Sequence, residues 1–324
     1  MEKIRWAICG LGRISEVFLA ASKLVDGMEI VACASSDKAR AIAFRDKHNL
    51  KYAYTYDELY ASREVDAAYV CTNMSIHCPN TLSILANKIP VLCEKAFSLS
   101  AAQTQAMTAA AQANDTLLME AMWTRFLPAT CAVRQLIADG SLGAVTKIGG
   151  VFSFDGRRST ADSNRLFSKA AGGGSLLDVG VYLISYIYGI LGAPAKLTAQ
   201  GKTQAGIDLD CRMNFEYPAV QAAAYCSVTD EQKCYINITC QKGKIHIPDF
   251  CSATAFEVVT EDGKTTPYRF EDVPGFVYQI KHFNGLLRAN QKESPLHTLS
   301  DTQEVMKLIT EAHRQLGVTF DCQL

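Results

Sequence analysis

The stretch that most restricts this chain lies at its start. Ile4, Trp6 and Ile8 alternate with Arg5, Ala7 and Cys9, and the run ends at Gly10. Gly10-Leu11-Gly12-Arg13-Ile14-Ser15 follows, then Val17, Phe18, Ala21 and Leu24 at helical spacing, then the apolar run Glu29–Ala34. Strand, glycine turn, helix and strand within about 30 residues commits the chain to a doubly wound parallel sheet, and it is the context in which a GxGxxG pattern has meaning. Gly10 permits the tight turn, and Gly12 lets the backbone approach a pyrophosphate seated on the helix N-terminus. The third position is Ser15, where only a small residue is required for helix–strand packing. The pattern predicts dinucleotide binding by Gly10, Gly12, Arg13 and Ile14; an ordinary βα turn is the plain alternative.

Nucleotide choice is read where the second strand ends. An acidic residue there binds a ribose 2′-hydroxyl. This chain has Ser35 and Ser36, then Asp37, Lys38 and Arg40. Two hydroxyls with nearby cations suit a 2′-phosphate, so NADP is expected, with NAD as the alternative that Asp37 keeps open. Strand and helix continue to alternate. Ala67–Cys71 leads into Thr72-Asn73 and a helix entered through His77-Cys78-Pro79. Pro90–Cys93 ends in Glu94-Lys95; Ser100-Ala101-Ala102-Gln103 reads as a capping box; Thr116–Met119 runs on to Trp123 and Arg125. Polar residues gather at the carboxyl ends of strands, the edge where open parallel sheets bind ligands.

From Val145 the period changes to strands: 146–154, 196–203, 211–215, 220–226 and 235–240, with turn signals at Tyr217-Pro218 and Lys242-Gly243. Two amphipathic helices are expected at 276–291 and 300–315, the second opened by a capping box at Ser300–Gln303. The expected division is a Rossmann domain over 1–120 and an α+β domain over 121–324 with a large, mostly antiparallel sheet. Ala222, Ala224 and Cys226 offer a small apolar face on which a second subunit could pair. A polar segment, 155–169, contains Arg157, Arg158, Ser159, Asp162, Asn164 and Arg165, and is expected to close over a substrate or to be a solvated connection. Gly172-Gly173-Gly174 then precedes Asp178 and Tyr182, four apart and so neighbours on one helical face.

Composition removes other classes. Lys+Arg number 32 against Asp+Glu 33, so no single-signed field draws the chain to nucleic acid or an anionic membrane. The apolar run 179–195 is broken by Ser185, Gly189, Gly192 and Pro194, which reads as too interrupted to span a bilayer. Twelve cysteines occur without one CxxC, and no two histidines have ligand spacing, so no metal is expected. Cysteines within apolar strands, and an N-terminus without a secretory pattern, point to reduced thiols in the cytoplasm.

GLGRIS at 10–15, TNMSIH at 72–77, CEKAFS at 93–98, MEAMWTRF at 119–126 and GGGSLLDVGVY at 172–182 together resemble the Gfo/Idh/MocA oxidoreductases. Within that family, MWTRF and Tyr182 look most like the dimeric dihydrodiol dehydrogenase branch and NADP-linked sugar dehydrogenases. The resemblance implies hydride transfer between NADP(H) and a CH–OH or carbonyl group of a sugar, cyclic polyol or trans-dihydrodiol, and a homodimer built through the second domain's sheet. It implies that Lys95 contacts the nicotinamide ribose and the substrate oxygen, that Tyr182 exchanges a proton with Asp178 orienting hydroxyls, and that Thr72, Asn73, His77 and Glu94 lie near the cofactor. Trp123 and Arg125 would flank cofactor or substrate, and Arg165 the substrate. Ala96 stands where the family carries proline. A dinucleotide-binding sensor without turnover, or a sugar–sugar oxidoreductase with a tightly held nucleotide, are the rival expectations.

Overall fold

The computed structural model describes residues 2–158 and 163–321. Two compact units emerge, Met1–Trp123 with Pro274–Gln303, and Thr124–Val273 with Glu304–Asp321. The expected boundary near residue 120 holds for the first crossing, but 274–303 returns to the first unit.

In that unit the strands β1 (Ile4–Cys9), β2 (Met28–Ala34), β3 (Tyr52–Tyr54), β4 (Ala67–Val70), β5 (Val91–Glu94) and β6 (Leu118–Ala121) form one parallel sheet, ordered β3-β2-β1-β4-β5-β6. The helices α1 (Arg13–Ser22), α2 (Lys38–His48), α3 (Tyr56–Tyr60), α4 (His77–Ala86) and α5 (Ala101–Ala113) connect them. The order reverses between β1 and β4, which opens a crevice at their carboxyl ends. On one face Phe18 of α1 stacks on Tyr69 at 3.8 Å and meets Trp6 at 5.6 Å. Trp6 also meets Phe283 at 4.9 Å and donates its indole N–H to Asn284 Oδ1 at 3.1 Å. Those partners explain the return of 274–303: without Phe283 and Asn284 the fully buried Trp6 would lose both its packing and its hydrogen bond. The opposite face is apolar, with Ala7, Val31, Ala68, Val70, Val91 and Leu118 buried.

The second unit opens with α6 (Pro128–Ala138), proline standing in its first turn. Its sheet comprises β7 (Val145–Asp155), β8 (Lys196–Gln200), β11 (Asp210–Glu216), β12 (Gln221–Ser227), β13 (Thr229–Cys240), β14 (Gly243–Pro248), β15 (Ala255–Thr260) and β16 (Thr265–Arg269), with β9 (Thr203–Gln204) and β10 (Ile207–Asp208) forming a small separate pair. The order is β16-β15-β14-β13-β7-β12-β11-β8; β12 pairs with β7 in parallel, and the other pairs are antiparallel. The short helix α7 (Ser163–Leu166) and the longer α8 (Val181–Leu191) come between β7 and β8.

Ala222, Ala224 and Cys226 correct an expectation. They are buried on the inner face, under α8, and not on a face open to a second subunit. Small residues are needed there because the helix lies close: a Cβ on Gly180 would sit 3.0 Å from Cys226 Sγ, and one on Gly150 3.0 Å from Leu183 Cδ2. The outer face carries Arg212, Asn214, Gln221, Ala223 and Asn237. The helical run Lys169–Leu191 is continuous where interruption was expected, so by length and composition it is apolar enough to cross a membrane. Its apolar window is 72% buried inside the unit, as a core helix is.

The last helices are α9 (Phe276–Arg288) and α10 (Leu299–Leu316). The cap of α10 lies two residues earlier than expected: Thr298 N donates to Asp301 Oδ2 at 3.1 Å and Asp301 N to Thr298 Oγ1 at 3.0 Å. Ser100 caps α5 as expected, accepting from Gln103 N, but the Gln103 amide oxygen accepts from Leu99 N instead of closing the box. The described cysteines carry thiols and no disulfides, and Cys9, Cys33, Cys71, Cys93, Cys211 and Cys226 are all buried.

Candidate active site

The glycine turn connects β1 to α1. Gly10 takes φ +104°, and a Cβ there would lie 2.7 Å from Thr72 N and 2.8 Å from the Cys71 carbonyl. Its neighbour Cys71 donates its thiol to Gly10 O at 3.2 Å, binding the ends of β1 and β4 together. Gly12 differs: a Cβ there would meet nothing within 4 Å. It precedes the first turn of α1 and has no side chain to cap it, so the helix N–H groups face open space. Ser15 is buried with its hydroxyl donating to Gly12 O at 2.6 Å, which accounts for a polar residue at the small position. The carboxylate of Glu16, in the same turn, is tied to Lys47 at 2.7 Å and His48 at 3.0 Å. An uncapped helix start behind a glycine turn fits a diphosphate. Arg13 is exposed and Ile14 half-buried beside it.

At the end of β2, Asp37 caps α2, accepting from Ala39 N at 2.8 Å and Arg40 N at 3.4 Å. That local duty accounts for the acid. Ser35 is buried and accepts from Asp37 N at 3.2 Å. Lys38 is turned to β3 and α3, donating to Ala53 O at 2.8 Å and to Glu58, with the Tyr54 ring 6.0 Å away. Ser36 is exposed, and Arg40 donates to Leu11 O at 3.0 Å across the glycine turn. Of the four residues assigned to a 2′-phosphate, Ser36 and Arg40 are the two exposed ones; Lys38 and Ser35 are committed elsewhere.

The ends of β4 and β5 are joined by His77. Its Nε2 lies 3.1 Å from Thr72 O and its Nδ1 3.0 Å from Ala96 O, with the ring buried. Thr72 Oγ1 accepts from Asn80 at 3.2 Å, and Asn73 is exposed. The Lys95–Ala96 peptide is cis, and Lys95 itself is half-buried. Glu94 is buried; it accepts from the Tyr69 hydroxyl and from Lys95 N at 3.2 Å. Burial pushes its carboxyl up to about 7, opposed by the Tyr69 hydrogen bond and the Lys95 charge. A carboxyl beside Lys95 thus gains and loses its proton near neutral pH. Trp123 packs against Phe276 at 5.6 Å.

Arg125 departs from the expectation. It lies in the second unit, buried, donating to Ser185 O at 3.1 Å, and so close to Gly189 that a Cβ there would meet its Nη1 at 1.6 Å. The guanidinium is spent on the α8 backbone and not on a phosphate. Also in the second unit, Arg165 and Asp178 form an ion pair at 3.1 Å, with Asp178 mostly buried and Arg165 about one-third exposed. Helix geometry before α8 is π over Leu176–Gly180, so the i,i+4 argument for Asp178 and Tyr182 applies only in part. Tyr182 is buried, 5.7 Å from the Phe152 ring. Of the 155–169 segment, Ser159 and Asp162 lie outside the described residues.

Two groups carried no signal in the pattern. Asp208 is fully buried and accepts from Ser175 Oγ at 2.6 Å and Leu176 N at 2.7 Å, with His313 at 3.3 Å, and so anchors the turn that leads to Asp178. In the first unit Glu120 is held by His297 at 2.8 Å and Thr302 at 2.9 Å. Both join residues more than a hundred positions apart, beyond any local pattern. No cluster suited to a metal occurs among the described residues.

Comparison with known proteins follows the same division. Residues 4–122 match the family model of an oxidoreductase family with an NAD-binding Rossmann fold, and 130–246 match the GFO/IDH/MocA C-terminal domain. Over 98% of both chains this chain is 33% identical to trans-1,2-dihydrobenzene-1,2-diol dehydrogenase of Sus scrofa, and 31% identical to that of Homo sapiens. The fold is shared with a 3-ketoreductase from Actinomadura kijaniata solved with NADP and TDP-benzene (TM-score 0.85, 20% identity, 97% and 98% of the two chains). It is shared also with an aldose–aldose oxidoreductase from Caulobacter crescentus (TM-score 0.87, 21% identity, 97% of each).

Proposed function

The chain belongs to the Gfo/Idh/MocA oxidoreductase family, and from that premise we propose that it is an NADP-linked dehydrogenase of trans-dihydrodiols or of similarly polyhydroxylated sugars and cyclic polyols. The observation that carries this reading is the match, over nearly the whole of both chains, to trans-1,2-dihydrobenzene-1,2-diol dehydrogenases. Retention of Lys95, Asp178 and Tyr182 favours turnover over a sensor that only binds nucleotide.

When bound, the nicotinamide supplies the hydride acceptor for the substrate's CH–OH carbon. The groups of this chain do the rest. The α1 N-terminus behind Gly10 and Gly12 holds the diphosphate through backbone N–H groups. Ser36, Arg40 and Arg13 supply the polar and cationic surface for a 2′-phosphate. Lys95 binds the substrate oxygen and stabilises negative charge on it; Tyr182 takes or returns the hydroxyl proton. Asp178, held by Arg165, accepts from the neighbouring substrate hydroxyl and fixes which carbon faces the ring. Glu94 sets the charge around Lys95 by its own protonation near neutral pH.

A panel of trans-dihydrodiols, inositols and aldoses, assayed with NADP and with NAD by the absorbance of reduced cofactor, tests the reading. NADP-dependent oxidation of a dihydrodiol is expected; no turnover across the panel, or a strong preference for NAD, would overturn it. The outer face of the second unit's sheet supports a homodimer, which sedimentation velocity checks. A cytoplasmic site, favoured by thiol-rich strands, is checked by cell fractionation.

A further inference from the structure

Burial pushes thiols up at Cys9, Cys71, Cys93 and Cys226, as at the other strand cysteines. Cys234, in β13, is different. Its sulfur is hydrogen-bonded by the thiol of Cys251 and by the backbone N–H groups of Cys251 and Phe250. Together these outweigh burial and the opposing charge of Asp249, and hold the thiol below its ordinary value. The turn bearing Cys251 is fastened to the same strand, Asp249 N donating to Cys234 O at 2.7 Å and Ser252 N to Asp249 O at 2.8 Å. Cys234 is half-exposed, while Cys251 is buried behind it. An accessible thiolate cradled by donors, with a second thiol in contact, is the arrangement of a reactive cysteine and its resolving partner.

We propose that Cys234 and Cys251 are a dithiol that a peroxide converts into an intramolecular disulfide. The Cys234 thiolate attacks one peroxide oxygen; the O–O bond breaks, hydroxide leaves, and the sulfur is oxidised to a sulfenic acid. The Cys251 sulfur then attacks Cys234, the S–O bond breaks, and the oxygen departs with the Cys251 proton as water. Two thiols and one peroxide give one disulfide and two waters. The bond draws on the turn that holds Phe250, whose buried ring is 5.9 Å from Phe152 and 5.7 Å from Tyr186. Phe152 in turn lies 5.7 Å from Tyr182, so the disulfide shifts the aromatic packing behind that hydroxyl and lowers turnover. The turnover limb rests on the dehydrogenase reading; the disulfide does not.

The test treats the full-length protein with hydrogen peroxide, alkylates it with iodoacetamide under denaturing conditions, and maps peptides by mass spectrometry. A Cys234–Cys251 cross-linked peptide is expected, and native Cys234 should alkylate about tenfold faster at pH 7 than Cys131, which is also half-exposed but has its thiol pushed up by burial. The Cys251→Ser protein should stop at the Cys234 sulfenic acid, trapped by dimedone. Absence of the cross-link in the wild type, or faster reaction at Cys131, overturns the proposal without recourse to any variant. Turnover should fall at least twofold on oxidation, return with dithiothreitol, and be indifferent to peroxide in Cys234→Ser; a disulfide with unchanged turnover overturns the link to Tyr182. Failure of the dehydrogenase reading shows separately, as no turnover by the reduced protein, and leaves the peptide map decisive.

Discussion

The two units prepare their share of the site in different ways. The first works mainly with backbone: a turn that tolerates no Cβ at Gly10, a helix start left uncapped at Gly12, and carbonyls of Thr72 and Ala96 spanned by His77. The second works with side chains held by other side chains, as Arg165 holds Asp178 and Asp208 holds Ser175 and the first turn beyond it. Backbone recognition suits a cofactor common to many enzymes, whereas side-chain pairs can be exchanged one at a time to fit a new substrate. Lys95 is the exception, a side chain on the backbone-built unit.

Substitution of that exception should have the largest effect. Lys95→Met is expected to lower kcat about 10³-fold with nucleotide affinity nearly intact, measured by steady-state kinetics and cofactor titration. A comparable loss of NADP binding would place the lysine with the nucleotide framework instead. Gly10→Ala should destabilise the first unit by about 2–3 kcal/mol, because the methyl group meets backbone atoms of Cys71 and Thr72 at a positive φ; thermal unfolding reads this. Glu94 probes the same unit through pH. Its carboxyl is raised from 4.5 to about 7, so its contribution to stability is complete below pH 4.5 and is lost as pH rises through 7. Relative to wild type, Glu94→Gln should therefore gain up to about 3 kcal/mol over that window, seen as Tm against pH. The smallest effect belongs to the second unit: Arg165→Ala should raise substrate KM about tenfold, leave the NADP dissociation constant alone and be nearly silent in Tm. If it weakened NADP instead, the division of labour would fail.

What could be read in the sequence follows the same line. A glycine turn between strand and helix is a local pattern, so the Rossmann unit and its nucleotide edge were visible from Gly10, Gly12 and the strand ends. The second unit's early strands were visible by alternation, but β14 to β16 were missed, since their short alternating runs are interrupted by charges and by Pro267. Which face of β12 is inner was misjudged: Ala222 and Ala224 are small because α8 lies on them, a fact that belongs to packing and not to period. Arg125 was assigned to a phosphate from its place beside Trp123, yet the carbonyl of Ser185, sixty residues on, captures it. Asp208, Glu120 and the Cys234–Cys251 pair depend on contacts between distant strands and helices, which no window along the chain contains.

Trp6 lies fully buried at the heart of the first unit, and Trp123 stands half-buried at its margin; the chain has no other tryptophan. Indole emission is therefore a one-sided instrument. It registers the melting of the nucleotide unit, with Trp123 free to respond to ligands, while the sheet unit can unfold unseen by it. If circular dichroism and fluorescence were followed together, any gap between their midpoints would measure how far the two units unfold independently.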